Sequence, residues 1–321
     1  MKIMVTGGAG FIGSNVAEGY LREGHEVVVV DNLRTGRREN VSPDATFYET
    51  DIRSSAIGDL IKRENPDIIN HHAAQISVPA SVSDPLLDAD INLKGLLCLL
   101  ENAVAQDVRK FIFISSGGAI YGEAEEYPTS EACPPRPLSP YAVSKYASEH
   151  YLAYYHHQHG LDYTTLRYAN IYGPRQIPKG EAGVVAIFMD QLIRGRRSTL
   201  YHFPEKDSGM VRDYCYVGDV VKANICALER GSTDFFNIGT GIETRTLALY
   251  NAIFEGMRSR AEHVPAELAK PERKSARAGD LPQSCLVVEK AYKGLGWRPE
   301  TALKEGIMKT LEWRLDETRA E

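Results

Sequence analysis

Lys2-Ile3-Met4-Val5-Thr6-Gly7-Gly8-Ala9-Gly10-Phe11-Ile12-Gly13 decides how this chain folds. Its first five residues predict a short apolar strand, and residues 14–22 continue as a helical pattern. The glycines stand at Gly7, Gly10 and Gly13. Between a strand and a helix, that spacing allows a tight turn and brings the backbone close to a pyrophosphate, which the amides at the positive helix end hold. A glycine run alone can be a mere turn. Strand, glycines, helix and second strand within about thirty residues mark a dinucleotide site.

The second apolar run, residues 26–30, ends on Asp31, whose carboxylate can accept hydrogen bonds from both hydroxyls of an adenosine ribose. That selects NAD over NADP, because a 2'-phosphate would face a carboxylate; Arg34, Arg37 and Arg38 follow closely and pull the other way. As structure alone, Asp31 is a turn residue and the arginines are solvated. Asp51-Ile52 follows a strand over 46–50, where it would sit beside the adenine or cap a helix starting near Ser54. Strand four, residues 67–70, runs into His71-His72-Ala73-Ala74-Gln75, whose small residues let a cofactor lie flat across the strand end. The two histidines have no third partner at a zinc-like spacing. His156, His157 and His159 fall at a predicted helix end, where they suit the dipole, so no metal is expected.

A helix over 85–105 carries Asn92 and Gly95, and a strand over 111–114 leads into Ser115-Ser116-Gly117-Gly118-Ala119-Ile120-Tyr121-Gly122. Tyr141-Ala142-Val143-Ser144-Lys145 then opens a helical pattern. A tyrosine and a lysine four residues apart share one helix face, so the ammonium of Lys145 can sit beside the phenol of Tyr141. A free tyrosine ionises near pH ~10. A fixed positive charge within a few ångströms lowers that value and poises the phenol for proton transfer at neutral pH. The pair by itself is common, and its bland meaning is an aromatic ring beside a solvated lysine.

The alternation of strands and helices predicts an α/β fold with a doubly wound parallel sheet, whose ligands bind outside the carboxyl ends of the strands. After a strand over 163–167 and the stretch 168–176 the alternation dissolves, so residues 1–169 are expected to form the NAD-binding domain. Residues 170–321 are expected to form a smaller mixed substrate domain, with a segment near 213–240 returning to the sheet through a strand over 233–238. Helices are expected over 184–194, 247–257 and 303–315. Arg212-Asp213-Tyr214 and residues 270–280, with Arg273, Lys274 and Arg277, could present guanidinium groups to a diphosphate; taken alone, the latter is a solvated basic loop.

Composition bounds the rest. With 321 residues, 43% of them hydrophobic, the chain can bury a large core, and a net charge of -6 provides no field for nucleic acid or anionic membrane. A strand beginning at residue 2 leaves no room for a signal peptide, and no apolar run approaches the ~20 residues of a membrane span, so the cytoplasm is expected. Cys98, Cys133, Cys215, Cys226 and Cys285 are an odd, scattered set without a Cys-x-x-Cys spacing, and are expected as reduced thiols.

These motifs, with Tyr121-Gly122, Arg167-Tyr168-Ala169-Asn170, Arg212-Asp213-Tyr214 and Gly279-Asp280-Leu281-Pro282, resemble the extended short-chain dehydrogenase/reductase superfamily over the whole chain. Within it they are most similar to the NAD-dependent epimerases and dehydratases, and to the UDP-glucose 4-epimerase group in particular. The resemblance implies tightly bound NAD, a UDP-sugar substrate inverted reversibly at C4 through a 4-keto sugar, and a homodimer joined by the helices after strands four and five. It assigns the cofactor to Gly7, Gly10, Phe11, Ile12, Gly13, Asp31, Asn32, Asp51, Ile52, Ala73, Ala74, Gln75, Asn92, Ser115, Tyr141, Lys145 and Tyr168. The substrate falls to Ser77, Val78, Ser116, Gly117, Tyr141, Asn170, Val184, Arg212, Arg277, Asp280 and Ser284. Tyr141 would take the proton of the sugar 4-hydroxyl, and Lys145 would bind the nicotinamide ribose.

The chain departs from the family at Gly117, where a serine or threonine usually bonds the reacting oxygen. Ser116 is the first candidate to replace it and Ser115 the second, because two glycines permit an altered backbone. Gly118-Ala119 stands where the family's 4,6-dehydratases carry an Asp-Glu pair, which removes that chemistry. Ile177 occupies the place of an arginine that pairs a uronate carboxylate, although nearby Lys179 keeps a uronate open. The short Ser284, where the family limits the sugar's 2-substituent, leaves room for an N-acetyl group, so UDP-glucose, UDP-galactose and their N-acetylated forms are all expected substrates. The competing readings are another NAD-dependent nucleotide-sugar enzyme (UDP-glucuronate 4-epimerase, decarboxylase or keto-sugar reductase) and a non-catalytic NAD-binding member of the family.

Overall fold

A computed structural model of the protein describes residues 1–178, 183–260, 264–277 and 280–320; Lys179 and Gly279 lie outside the described residues. The chain runs β1 (Lys2–Thr6), α1 (Phe11–Arg22), β2 (Glu26–Asp31), β3 (Thr46–Glu49), α2 (Ala56–Glu64) and β4 (Ile68–His71). It continues through α3 (Val78–Ser83), α4 (Pro85–Ala89), α5 (Gly95–Ala105), β5 (Lys110–Ser116), α6 (Pro140–His159) and β6 (Asp162–Tyr168). One sheet gathers these six strands and the returning strand Asp234–Ile238, in the order Asp234–Ile238, β6, β5, β4, β1, β2, β3. Every junction is parallel. The strand order reverses between β1 and β4, the place where open α/β sheets bind ligands.

Both faces of the sheet are covered, which is why its central strands are continuously apolar rather than alternating. β5 divides its side chains by the strand period of two. Ile112 and Ile114 join the core beneath α1, with Val16, Tyr20 and Val29. Phe111 and Phe113 join the opposite core beneath α2 and α5, with Ile57, Leu60, Leu96 and Leu100.

Three expectations change. The helix over 85–105 is interrupted: a π-helical turn over Asp90–Lys94 separates α4 from α5. That turn carries Asn92, whose side-chain amide accepts from Gln75 N at 2.9 Å and donates to Gln75 O at 3.0 Å, a reason for the local departure from α geometry. β5 extends beyond residue 114 to include Ser115 and Ser116, which pair with Arg167 and Tyr168. The basic stretch near 270 is not simply a loop, because Glu272–Ser275 pairs in parallel with Thr199–His202.

Beyond β6, α7 (Val184–Ile193), α9 (Thr246–Arg260) and the helix Leu303–Ala320 share a separate core built from Phe188, Tyr250, Ile253, Ile307 and Leu311. Between them in sequence, α8 (Val217–Ala227) packs Val220 and Ala223 into the sheet core beside α1. No helix among the described residues is long and apolar enough to cross a membrane.

Candidate active site

The glycine loop is a place where only bare backbone fits. Gly7 has φ 69°, and a Cβ there would lie 2.5 Å from Ala73 N; a Cβ on Gly13 would lie 2.3 Å from Gly7 O. The loop after β1 is therefore pressed against the start of α1 and the loop after β4. Asp31 ends β2 nearly buried, its Oδ2 accepting from Ala9 N at 3.0 Å and its Oδ1 from Leu33 N at 2.8 Å. Burial pushes its carboxyl above the ordinary range, and those backbone donors pull against it. Two of the three nearby arginines are committed elsewhere: Arg38 stacks 4.6 Å over Phe47, and Arg37 lies 3.6 Å from Glu39. Asp51 is gripped by Arg53 at 2.7 Å and bonded by Asn32 at 2.9 Å, and the guanidinium holds its carboxyl far below the usual range.

Asp31, Asn32, Asp51, Ile52, Ala73, Gln75 and Ser77 border a cavity of about 270 Å³. Phe11, Ile12, Gly13, Ser115, Ser116, Tyr141, Lys145 and Tyr168 border a second of about 190 Å³. The two share Gly7, Gly10, His72, Ala74 and Ile76, so they form one groove along the carboxyl edge of the sheet. The neighbouring atoms fit a dinucleotide and a polar substrate: His72 Nε2, Asn170 Nδ2 and Gln176 Oε1 are buried without a hydrogen-bond partner among the described residues. Burial and the Lys145 charge pull the His72 imidazole down to about 3, so it stays neutral. His71 Nδ1 lies 2.7 Å from Thr6 Oγ1.

Ser139 begins α6: its hydroxyl accepts from Ala142 N at 3.2 Å, with Pro140 at the first helical position. The helix places Tyr141 and Lys145 over the end of β5. Ser115 and Ser116, adjacent on that strand, have different partners. Ser115 donates to Glu149 Oε1 at 2.6 Å, inside a buried cluster where Arg167 grips the same carboxylate at 3.0 Å and 2.5 Å. The Ser116 side chain bears on the Tyr141 phenol in the direction that favours its ionised form, and both border the groove. Of the two candidate hydroxyls, Ser116 reaches the phenol, and Ser115 is engaged by Glu149.

Lys145 borders the groove beside Tyr141 and has partners of its own. Lys145 Nζ donates to Ile114 O at 2.9 Å and lies 4.9 Å over the Phe113 ring. Burial pushes the phenol up to about 12, opposed by the Ser116 side chain and reinforced by the Asp88 charge. Burial also brings the Lys145 ammonium down to about 8, with Asp88 and Glu149 resisting.

The remaining predicted residues divide. Asn92 spends its amide on Gln75 and Asp88, so it holds the loop that borders the groove. Tyr168 turns its ring to the groove while its hydroxyl accepts from Asn224 at 2.6 Å. Ser77 caps α3, and Val78 is that helix's first residue. Asn170 begins a short strand paired to Tyr214–Tyr216, and Val184 is the first residue of α7. Arg212 donates to Val211 O and Leu281 O, both at 2.8 Å. Arg277 stacks 4.8 Å over Tyr201 and pairs with Asp280 at 3.2 Å. Ser284 lies beside Arg212, and its Oγ would be 4.0 Å from a Cβ on Gly118. Ile177 borders a separate cavity with Arg194 and Arg314.

Sequence reading missed two residues, Asp88 and Leu286, and the role of a third, Asp213. Asp88 is a buried carboxylate bonded to Ser144, the residue before Lys145, and its charge bears on Tyr141 and Lys145. Asp213 accepts from Thr240 N at 2.8 Å, Gly241 N at 3.1 Å and Leu286 N at 3.3 Å, fixing the loop over Gly117. Leu286 fills the space a side chain at 117 would need. Their partners lie far away in sequence, so no local pattern announces them.

A parallel sheet with a glycine loop at its switch point and a tyrosine–lysine pair on the neighbouring helix defines a dinucleotide-binding fold equipped for proton transfer. Residues 3–239 match the NAD dependent epimerase/dehydratase family. A UDP-glucose 4-epimerase of Mycolicibacterium smegmatis is 44% identical over 319 residues, covering 98% of each chain. The structure of a Thermotoga maritima UDP-glucose 4-epimerase with UDP-glucose superposes with a TM-score of 0.93 at 44% identity, covering 99% of this chain and 100% of that one. A Thermus thermophilus UDP-glucose 4-epimerase in complex with NAD gives 0.89 at 44% identity, covering 98% and 99%. The chain belongs to the NAD-dependent epimerase/dehydratase family.

Proposed function

We propose that this protein reversibly inverts C4 of a UDP-hexose, interconverting UDP-glucose and UDP-galactose and, through the short Ser284, their N-acetylated forms. The observation that carries the reading is the Tyr141 phenol, bordering with Ser116 and Lys145 a groove continuous with the glycine loop. Bound NAD supplies the acceptor and donor of a hydride and, when oxidised, a positive charge that favours the phenolate. Tyr141 takes the proton of the 4-hydroxyl as C4 is oxidised and returns it once the flat 4-keto sugar has presented its other face. Ser116 donates to the phenol oxygen in its charged form, and the Lys145 ammonium supports that charge from the helix turn below. Asp31 receives the adenosine ribose, and Arg212 and Arg277 bind the diphosphate.

The active form is a homodimer in the cytoplasm. Val143, Tyr151 and Tyr154 on α6, with Val82 on α3 and Leu86 on α4, leave apolar side chains exposed, Leu86 by 82%. The five cysteines are unpaired, which suits a reducing compartment. The test is to incubate purified protein with UDP-glucose, UDP-GlcNAc and UDP-glucuronate without added NAD and to separate the products. C4 epimers of the first two are expected; a product from UDP-glucuronate alone, or none from any sugar despite bound NAD, overturns the reading.

A further inference from the structure

Asp88 on α4 is 1% exposed, yet it is a carboxylate surrounded by uncharged donors. Its Oδ1 accepts from Gln75 Nε2 at 2.8 Å and Asn92 Nδ2 at 3.0 Å, and its Oδ2 accepts from Ser144 Oγ at 2.6 Å. Ser144 precedes Lys145 on α6, while Gln75 belongs to the loop bordering the groove and bonds Ser77 through both ends of its amide. One carboxylate therefore fastens three elements: the loop after β4, the π-helical turn and the helix carrying Tyr141 and Lys145.

Two buried carboxylates bear on Lys145, and they are not equivalent. Glu149 is gripped on both oxygens by the Arg167 guanidinium, which offsets its charge. The hydrogen bonds to Asp88 carry no compensating charge, so its field bears on Lys145 and on the phenol. The other ionisable groups facing the pair are His71 and His72, each kept neutral by burial and by Lys145.

We infer that Asp88 is a positioning residue that sets the charge state of the Tyr141–Lys145 pair while tying the Gln75–Ser77 loop to α6. A buried negative charge favours the protonated form of every neighbour. Asp88 thus keeps the lysine an ammonium in a site that would otherwise discharge it, and it delays ionisation of the phenol. The inference rests on the proposed roles of Tyr141 and Lys145.

The sign of the test follows. Removing the charge lowers both apparent pKa values of the coupled pair, so both limbs of the kcat/KM profile move to lower pH, on the order of one unit. Lost packing alone would lower the whole profile without moving it. The profile is measured for wild type, Asp88→Asn and Ser144→Ala, with thermal unfolding and bound-cofactor absorbance recorded for each. Ser144→Ala breaks the 2.6 Å bond but keeps the charge, and its limbs are expected to stay in place. Asp88→Ser, which also removes the charge, serves if Asp88→Asn does not fold. Unmoved limbs in folded Asp88 variants, or equal shifts in Ser144→Ala, overturn the inference. Tyr141→Phe in the same series separates the two levels: turnover by that variant overturns the reading of the site itself, whereas its inactivity beside unmoved Asp88 limbs overturns only the role of Asp88.

Discussion

A Cβ placed on Gly117 would lie 2.6 Å from Leu286 Cδ1 and 3.1 Å from Arg167 O. The glycine that stands in place of the family's hydroxyl residue is thus matched by a leucine over the same space. Leu286 is 1% exposed, so its side chain has little room into which to retreat. Gly117→Ser is expected to destabilise the protein by about 1–3 kcal/mol through overpacking. Leu286→Ala in the same chain is expected to recover part of that loss, a coupling that a double-mutant cycle of unfolding free energies measures. Strict additivity would show that the two sites do not contend for one space.

The two neighbouring serines should separate in kinetics. Ser116→Ala removes the hydroxyl that favours the phenolate and is expected to lower kcat by roughly 10²–10³-fold, as the loss of a donor to developing charge does elsewhere. Ser115→Ala is expected to act on unfolding temperature more than on turnover, because its hydroxyl serves Glu149. Tyr141→Phe should abolish turnover while NAD remains bound. Full activity in Ser116→Ala would end its assignment.

Ser284 faces Gly118 at the end of a strand paired to Val211–Arg212. A tyrosine there occupies the space the short serine leaves. Ser284→Tyr is expected to reduce turnover of UDP-GlcNAc well beyond that of UDP-glucose, measured as the ratio of the two kcat/KM values. An unchanged ratio would remove Ser284 from the specificity site.

Acid should weaken the fold through the histidine pair at the end of β4. Burial lowers the folded pKa of His72 to about 3 and that of His71 well below 6.5, the ordinary value they regain on unfolding. The unfolded chain therefore binds more protons in that window. Stability is full above pH 6.5 and is lost as pH falls toward 3, by up to about 1.4 kcal/mol per pH unit for each histidine. Denaturant unfolding at pH 7 and 5 measures this, and His72→Asn should flatten the slope. An unaltered slope in that variant would assign the acid sensitivity to other groups.

The residues that could be read directly are those whose meaning is local. Gly7, Gly10 and Gly13, Asp31 at a strand end, and Tyr141 with Lys145 on one helix face each declare themselves through spacing, because strand period, helix period and glycine's backbone freedom act over a few residues. Tertiary structure decided what spacing leaves equal. It gave Ser116 to the phenol and Ser115 to Glu149, and it bent the helix after Pro85 into a π turn so that Asn92 could serve Gln75. It also buried Asp88 behind the reacting pair and laid Leu286 over Gly117. These outcomes depend on contacts between residues tens to more than a hundred positions apart, whose hydrogen bonds and excluded volumes exist only once the sheet has brought them together.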